Sequence, residues 1–182
     1  MARRSLLIVV LAGLLVGYAG VQPYAASTPV NQGQPPVVVD AYAAPSIAPG
    51  DTWMIYVKAE DPDGYMKTIT AVLWQAGVGY YPPEVTMLKP DHGKQFAGYL
   101  FLQTPNDFSL NWDEFELYLY VRDAQGNRAE TVKLPLRFDM AARQVVPENW
   151  KEAAGTRIAA LMFHIESSAR YNRGGNNDSS FD

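Results

Sequence analysis

Four oxygen-bearing side chains fall in two short turns of this chain and could bind a cation. Asp61 and Asp63 stand in Asp61-Pro62-Asp63-Gly64, and Asp123 and Asn127 in Asp123-Ala124-Gln125-Gly126-Asn127. Carboxylate and amide oxygens are what Ca²⁺ takes, in shells of about six to eight. The same residues serve turns equally well, because Asp and Asn bond their own backbone while Gly64 and Gly126 supply positive φ. Four ligands fall short of a full shell, so turn chemistry is the favoured reading and Ca²⁺ the sharper expectation.

A second group is aromatic. Gly77-Val78-Gly79-Tyr80-Tyr81-Pro82-Pro83 sets two tyrosines in a loop flanked by glycine and proline. With Tyr56, Tyr118 and Tyr120 on polar strand faces, Tyr80 and Tyr81 could stack on sugar rings or anchor a protein partner. The competing reading is that these rings half-cover a sheet face or pack beneath a C-terminal element.

Catalysis fails on inventory. The histidines are His92 and His164, and no nucleophile–base–acid set, phosphate loop or zinc spacing accompanies them. Glu114 with Glu116, or Asp61 with Asp63, are acid pairs close in sequence, which are usually solvated surface. The expectation is a protein that is not an enzyme.

The elements that must hold these groups are strands. Thr52 to Glu60 sends Trp53, Ile55, Val57 and Ala59 to one side and Met54, Tyr56 and Lys58 to the other. Glu114 to Arg122 alternates in the same way, with Phe115, Leu117, Leu119 and Val121 against Glu116, Tyr118 and Tyr120. Further runs at 37–42, 68–75, 85–88, 97–103 and 130–138 make about seven strands, separated by turns rich in Pro, Gly, Asp and Asn. That pattern predicts a mostly β, antiparallel two-sheet sandwich over residues 37–140. Pro135 marks the last strand as an edge or as bulged. In such a sandwich the turns after the second and the penultimate strands share one end, which would bring Asp61, Asp63, Asp123 and Asn127 together.

Beyond residue 140 the period changes. Trp150, Ala154, Ile158, Leu161, Met162 and Ile165 recur at helical spacing, predicting a helix over 147–168 that packs as core or offers a docking stripe. A strand over 157–165 is the rival reading. Residues 169–182 are rich in Asn, Gly and Ser and read as a disordered tail.

At the other end, Arg3-Arg4 precedes an apolar run from Leu6 to Val16 and the small residues Gly17, Ala19 and Gly20. This charge–hydrophobe–small order predicts a secretory signal over 1–25, cleaved after Ala19 or near Ala25 or Ala26, with residues 26–36 as a linker. The run is shorter than the roughly 20 apolar residues of a membrane span, and a retained anchor stays open for want of a clean cleavage site. The chain has no cysteine. A lipoprotein anchor and structural disulfides are thereby excluded, and a bacterial or archaeal exported protein of the periplasm, cell surface or exterior is expected. With 19 acidic against 15 basic residues and a net charge of −4, nucleic acid and anionic lipid are disfavoured as partners. A membrane would be met only through an uncleaved N-terminal segment.

Three stretches carry a resemblance: Pro49-Gly50-Asp51-Thr52, Ala59-Glu60-Asp61-Pro62-Asp63-Gly64 and Val121-Arg122-Asp123-Ala124-Gln125-Gly126-Asn127. Together they resemble bacterial immunoglobulin-like and fibronectin-III-like sandwich domains over residues 37–138. The Asp-x-Asp and Asp-x-x-Gly-Asn turns are similar to those that hold calcium in cadherin-like modules. The resemblance implies a scaffold rather than an activity. The expectation is an accessory or structural binding module that presents loops and a sheet face to a protein partner. The alternative is a carbohydrate-binding module using the same tyrosines, steadied by calcium at Asp61 and Asp63.

Overall fold

The computed structural model describes residues 33–174. The export segment 1–25 and most of the linker 26–36 lie outside the described residues, as does the end of the tail.

Alternation builds the strands. In β3 (Thr52–Glu60), β4 (Met66–Gln75), β7 (Gln95–Gln103), β8 (Glu114–Asp123) and β9 (Val132–Phe138), every second side chain turns into one interior. Trp53, Ile55, Ile69, Leu73, Leu100, Leu102, Leu117, Leu119 and Phe138 are fully buried there. Each such side chain contributes about 1.5–3 kcal/mol on leaving water. The Trp53 indole N–H, which burial would otherwise orphan, donates to the Ala44 carbonyl at 2.8 Å.

Two sheets enclose this core. One runs β1 (Val37–Ala43), β3, β7 and β10 (Arg157–Leu161). The other runs β2 (Ser46–Ile47), β9, β8, β4 and β5 (Gly79–Tyr80), with β6 (Glu84–Met87) also pairing β4. Most pairs are antiparallel, but β2 lies parallel to β9 and β10 parallel to β7, so both sheets are mixed. β2 reaches only Arg137 and Phe138 of β9. Pro135, which has no N–H to give, therefore sits where that strand's outer side is unpaired.

The C-terminal segment corrects the helix expected over 147–168. Those residues form two single 3-10 turns, Glu148–Trp150 and Ala153–Gly155, followed by β10 and an extended run to Ser167. Ala159, Leu161, Phe163, Ile165 and Ser167 are buried, whereas Met162, which a helical stripe would turn inward, is 74% exposed. The period here is two.

The cause lies elsewhere in the chain. No strand between β6 and β7 takes the outer edge of β7, and the C-terminal segment fills that edge. Tyr99 N–H donates to the Thr156 carbonyl at 2.9 Å. Gly98 makes the approach possible, since a Cβ there would fall 2.6 Å from that carbonyl oxygen. Among the described residues, α-helix appears only as α1 (Ser168–Gly174), which starts one residue before the stretch read as a disordered tail. Asp113 anchors its start by accepting from Ser168 N–H at 2.9 Å and Ser168 Oγ at 2.7 Å.

Candidate functional site: the uncovered face of the second sheet

The two acidic turns do meet at one end. Met66 pairs in register with Asp123, and Ala124 N–H donates to the Tyr65 carbonyl at 2.8 Å. Their oxygens are engaged by backbone. Asp61 accepts from Asp63 N–H at 2.9 Å and Tyr65 N–H at 3.1 Å. Asp123 Oδ1 accepts from the N–H groups of Gln125 and Asn127, and Oδ2 accepts from Asn127 Nδ2 at 2.7 Å. Asp63 accepts from Gln34 N–H at 2.6 Å, fastening the incoming chain to this end. Among the described residues no three His, Asp or Glu gather as metal ligands would. The carboxylates of Asp61 and Asp123 therefore close their own turns through these N–H donors.

Of Tyr80, Tyr81, Tyr118 and Tyr120, three share a surface. Register puts Trp74 opposite both Glu116 and Tyr80, Val72 opposite Tyr118, and Thr70 opposite both Tyr120 and Val85. All of these point away from the core, and the rings of Tyr80 and Tyr118 lie 6.0 Å apart. Tyr80, Val85 and Met87 are 69%, 59% and 63% exposed. Tyr81 does not join them, since neighbouring strand residues point to opposite sides. Its hydroxyl donates to Gln75 Oε1 and its ring meets Phe163 edge-on at 6.2 Å. Gln75 in turn donates to the Glu166 carbonyl at 2.8 Å and to Asp113, so Tyr81 helps hold the C-terminal segment.

Cations stand over the rings of this face. Arg128 lies 4.7 Å from the Tyr120 centroid, Lys133 5.1 Å from Tyr118, and Arg137 5.5 Å from Trp112. Tyr118 O–H donates to Glu116, and that bond to a carboxylate, with some desolvation and Tyr80 behind it, raises the Tyr118 phenol well above its ordinary 10.0. Trp112 carries φ of +76°, a left-handed conformation costing an L-residue about 1–2 kcal/mol. It is held by its N–H bond to the Phe138 carbonyl at 2.9 Å.

Trp74, Val85, Met87 and Arg137 were not singled out as site residues by sequence reasoning, and the Glu114–Glu116 pair was set aside there as solvated surface. The register of β4 against β8 was the signal that could have found Trp74. Tyr56, grouped by sequence with Tyr118 and Tyr120, belongs to the opposite sheet.

No protein-family model matches the chain, and no curated protein matches it. Among solved structures it is similar to the CARDB domain of the PF1109 protein from Pyrococcus furiosus, solved in complex with di-metal ions. Identity there is 11% and TM-score 0.34, over 57% of this chain and 87% of that one. A PKD domain of an M14-like peptidase from a Thermoplasmatales archaeon matches at 12% and 0.36, over 58% and 97%. The sporulation control protein Spo0M from Bacillus subtilis matches at 10% and 0.38, where this chain spans 50% of the other's length. Likeness at this level says nothing of activity, and the fold assignment rests on connectivity. The N-terminal strand divides between two sheets, β3 and β7 pair in one, and β4, β8 and β9 pair in the other. By that connectivity the chain is an immunoglobulin-like β-sandwich.

Proposed function

We propose that this protein is a non-catalytic binding module of the cell envelope or exterior. Its uncovered sheet face receives a protein partner. The observation that carries this reading is the contrast between the sandwich's two outward faces. Both are lined with aromatic rings, but the chain's own residues 144–154 lie over the first sheet, and none of the described residues lies over Tyr80, Val85 and Met87 of the second.

Tyr118, Tyr120, Val85 and Met87 form the apolar centre of the docking half, with Arg122, Arg128 and Lys133 around it. Tyrosine and arginine dominate the energetic centres of protein interfaces. A cationic rim on a chain of net charge −4 fits an acidic partner surface and speeds its encounter at low salt.

The test is co-purification of the mature chain from its native envelope after mild cross-linking, beside a Tyr120→Ala, Val85→Asp variant. A stoichiometric acidic partner held by the native chain and lost by the variant, with melting unchanged, is the expected result. Equal capture by both chains would overturn the reading.

A further inference from the structure

The other half of the same face holds a depression of about 510 Å³, a volume ordinary for small-ligand sites. Its floor is ordered by strand register into two rows that cross the sheet. One row is Ser46, Arg137 and Glu114; the other is Pro135, Glu116 and Trp74, with Tyr80 next in register beyond the depression. A guanidinium and two carboxylates thus lie among the flat rings of Pro135 and Trp74. From β2 to β4 the rows span about 14 Å at the usual strand spacing.

We propose that this depression binds a neutral oligosaccharide lying across the strands. An arginine can only donate hydrogen bonds and an ionised carboxylate can only accept them. A ligand that answers both within a few ångströms, while laying C–H faces on flat rings, is rich in hydroxyls. Two carboxylates against one guanidinium disfavour a uronic or otherwise anionic sugar. One donor is prepared in advance, since Arg137 lies over the Trp112 ring with its guanidinium carbon 5.5 Å from the centroid. Glu116 is fixed by the Tyr118 hydroxyl, which leaves its remaining acceptor positions aimed from a settled side chain.

Tyr118 borders both regions, but Trp74, Glu114 and Arg137 belong to the depression alone and Tyr120, Val85 and Met87 to the docking half alone, so the two readings fail separately. The experiment is titration calorimetry of the whole mature chain with neutral and acidic oligosaccharides of about four units: cellotetraose, N-acetylchitotetraose, mannotetraose and tetragalacturonate. The expected result is saturable binding of at least one neutral ligand and none of tetragalacturonate. Trp74→Ala should weaken that binding by at least about tenfold, since one stacked ring supplies that much affinity. Glu114→Ala is exposed and should fold normally, so a parallel loss there guards against misfolding of the Trp74 variant. Tyr120→Ala should leave the sugar affinity unchanged. The proposal is overturned if no neutral ligand binds, or if binding survives Glu114→Ala and Trp74→Ala. It is equally overturned if Trp74→Ala abolishes protein capture with no sugar bound, which would make the depression part of the protein interface.

Discussion

Tyr56 and Tyr118 occupy matching places on the two sheets and meet opposite fates. Each faces outward from a long central strand, in company with other tyrosines. Tyr56 is 2% exposed, with Trp150 at 5.8 Å and Tyr42 and Tyr99 each at 6.4 Å. A second small core has formed outside the first sheet. The segment above it is pinned at several points: Met54 N–H donates to Gln144 Oε1 at 3.0 Å, Lys58 Nζ donates to the Asn149 carbonyl at 3.2 Å, and the same ammonium sits 4.6 Å from the Trp150 ring. Among the described residues, the contacts over the Tyr118 ring come from its own sheet, from Tyr80 and Lys133. Aromatic composition alone therefore does not tell a binding face from a packing face. What distinguishes them is whether the chain itself returns to cover the rings.

The contrast can be broken most severely from the covered side. Trp150→Ala should cost about 3–5 kcal/mol in denaturant unfolding, as removal of a buried large aromatic does. Removing Tyr120 from the open face should cost about 1 kcal/mol or less. Comparable losses at the two positions would erase the difference.

Gly98→Ala attacks the same cover through its continuation. The new Cβ would press on the Thr156 carbonyl and on Ile158, 2.7 Å away, and should destabilise by about 1–3 kcal/mol. Hydrogen exchange should show that loss concentrated in β10 and the run to Ser167, with β8 and β4 protected as before. Asp123→Ala should cost about 1–3 kcal/mol by orphaning the N–H groups of Gln125 and Asn127. If the turns close themselves in this way, calcium and chelator should give the same melt.

The smallest effect sharpens the comparison by cause. Burial is the first reason the Tyr56 phenol is raised, whereas for Tyr118 it is the bond to Glu116. A raised phenol is held neutral by the fold; its contribution is present below 10.0 and is lost as pH climbs through the raised value. In an alkaline spectrophotometric titration, Glu116→Gln should bring Tyr118 down towards its ordinary range and leave Tyr56 where it was. A shift of both would show that the two rings are not independently set.

Much of the framework was legible because alternation is a local signal. The seven expected strands correspond to β1, β3, β4, β6, β7, β8 and β9, and the juxtaposition of the Asp61 and Asp123 turns followed from their connectivity. The C-terminal segment was misread for a definite reason. Ile158, Leu161, Met162 and Ile165 satisfy helical spacing, while Ala159, Leu161, Phe163 and Ile165 satisfy strand spacing. Only a vacant edge on β7, with Gly98 beneath it, decides between them, and both lie some sixty residues away in sequence. Tyr81 was grouped with Tyr80 because they are adjacent, though adjacency in an extended chain puts side chains on opposite sides. Trp74 and Arg137 could be joined to the site only through cross-strand register, which a single strand's pattern does not contain.

The central claim is that the face of Tyr118 and Tyr120 is the one kept open for a partner. The most direct measurement places a photo-cross-linking phenylalanine derivative at position 120, and in a second chain at position 58 beneath Trp150, and irradiates each in its native envelope. The account predicts a single discrete protein adduct at position 120 and none at position 58. Adducts of equal yield at both positions, or none at 120, would contradict it.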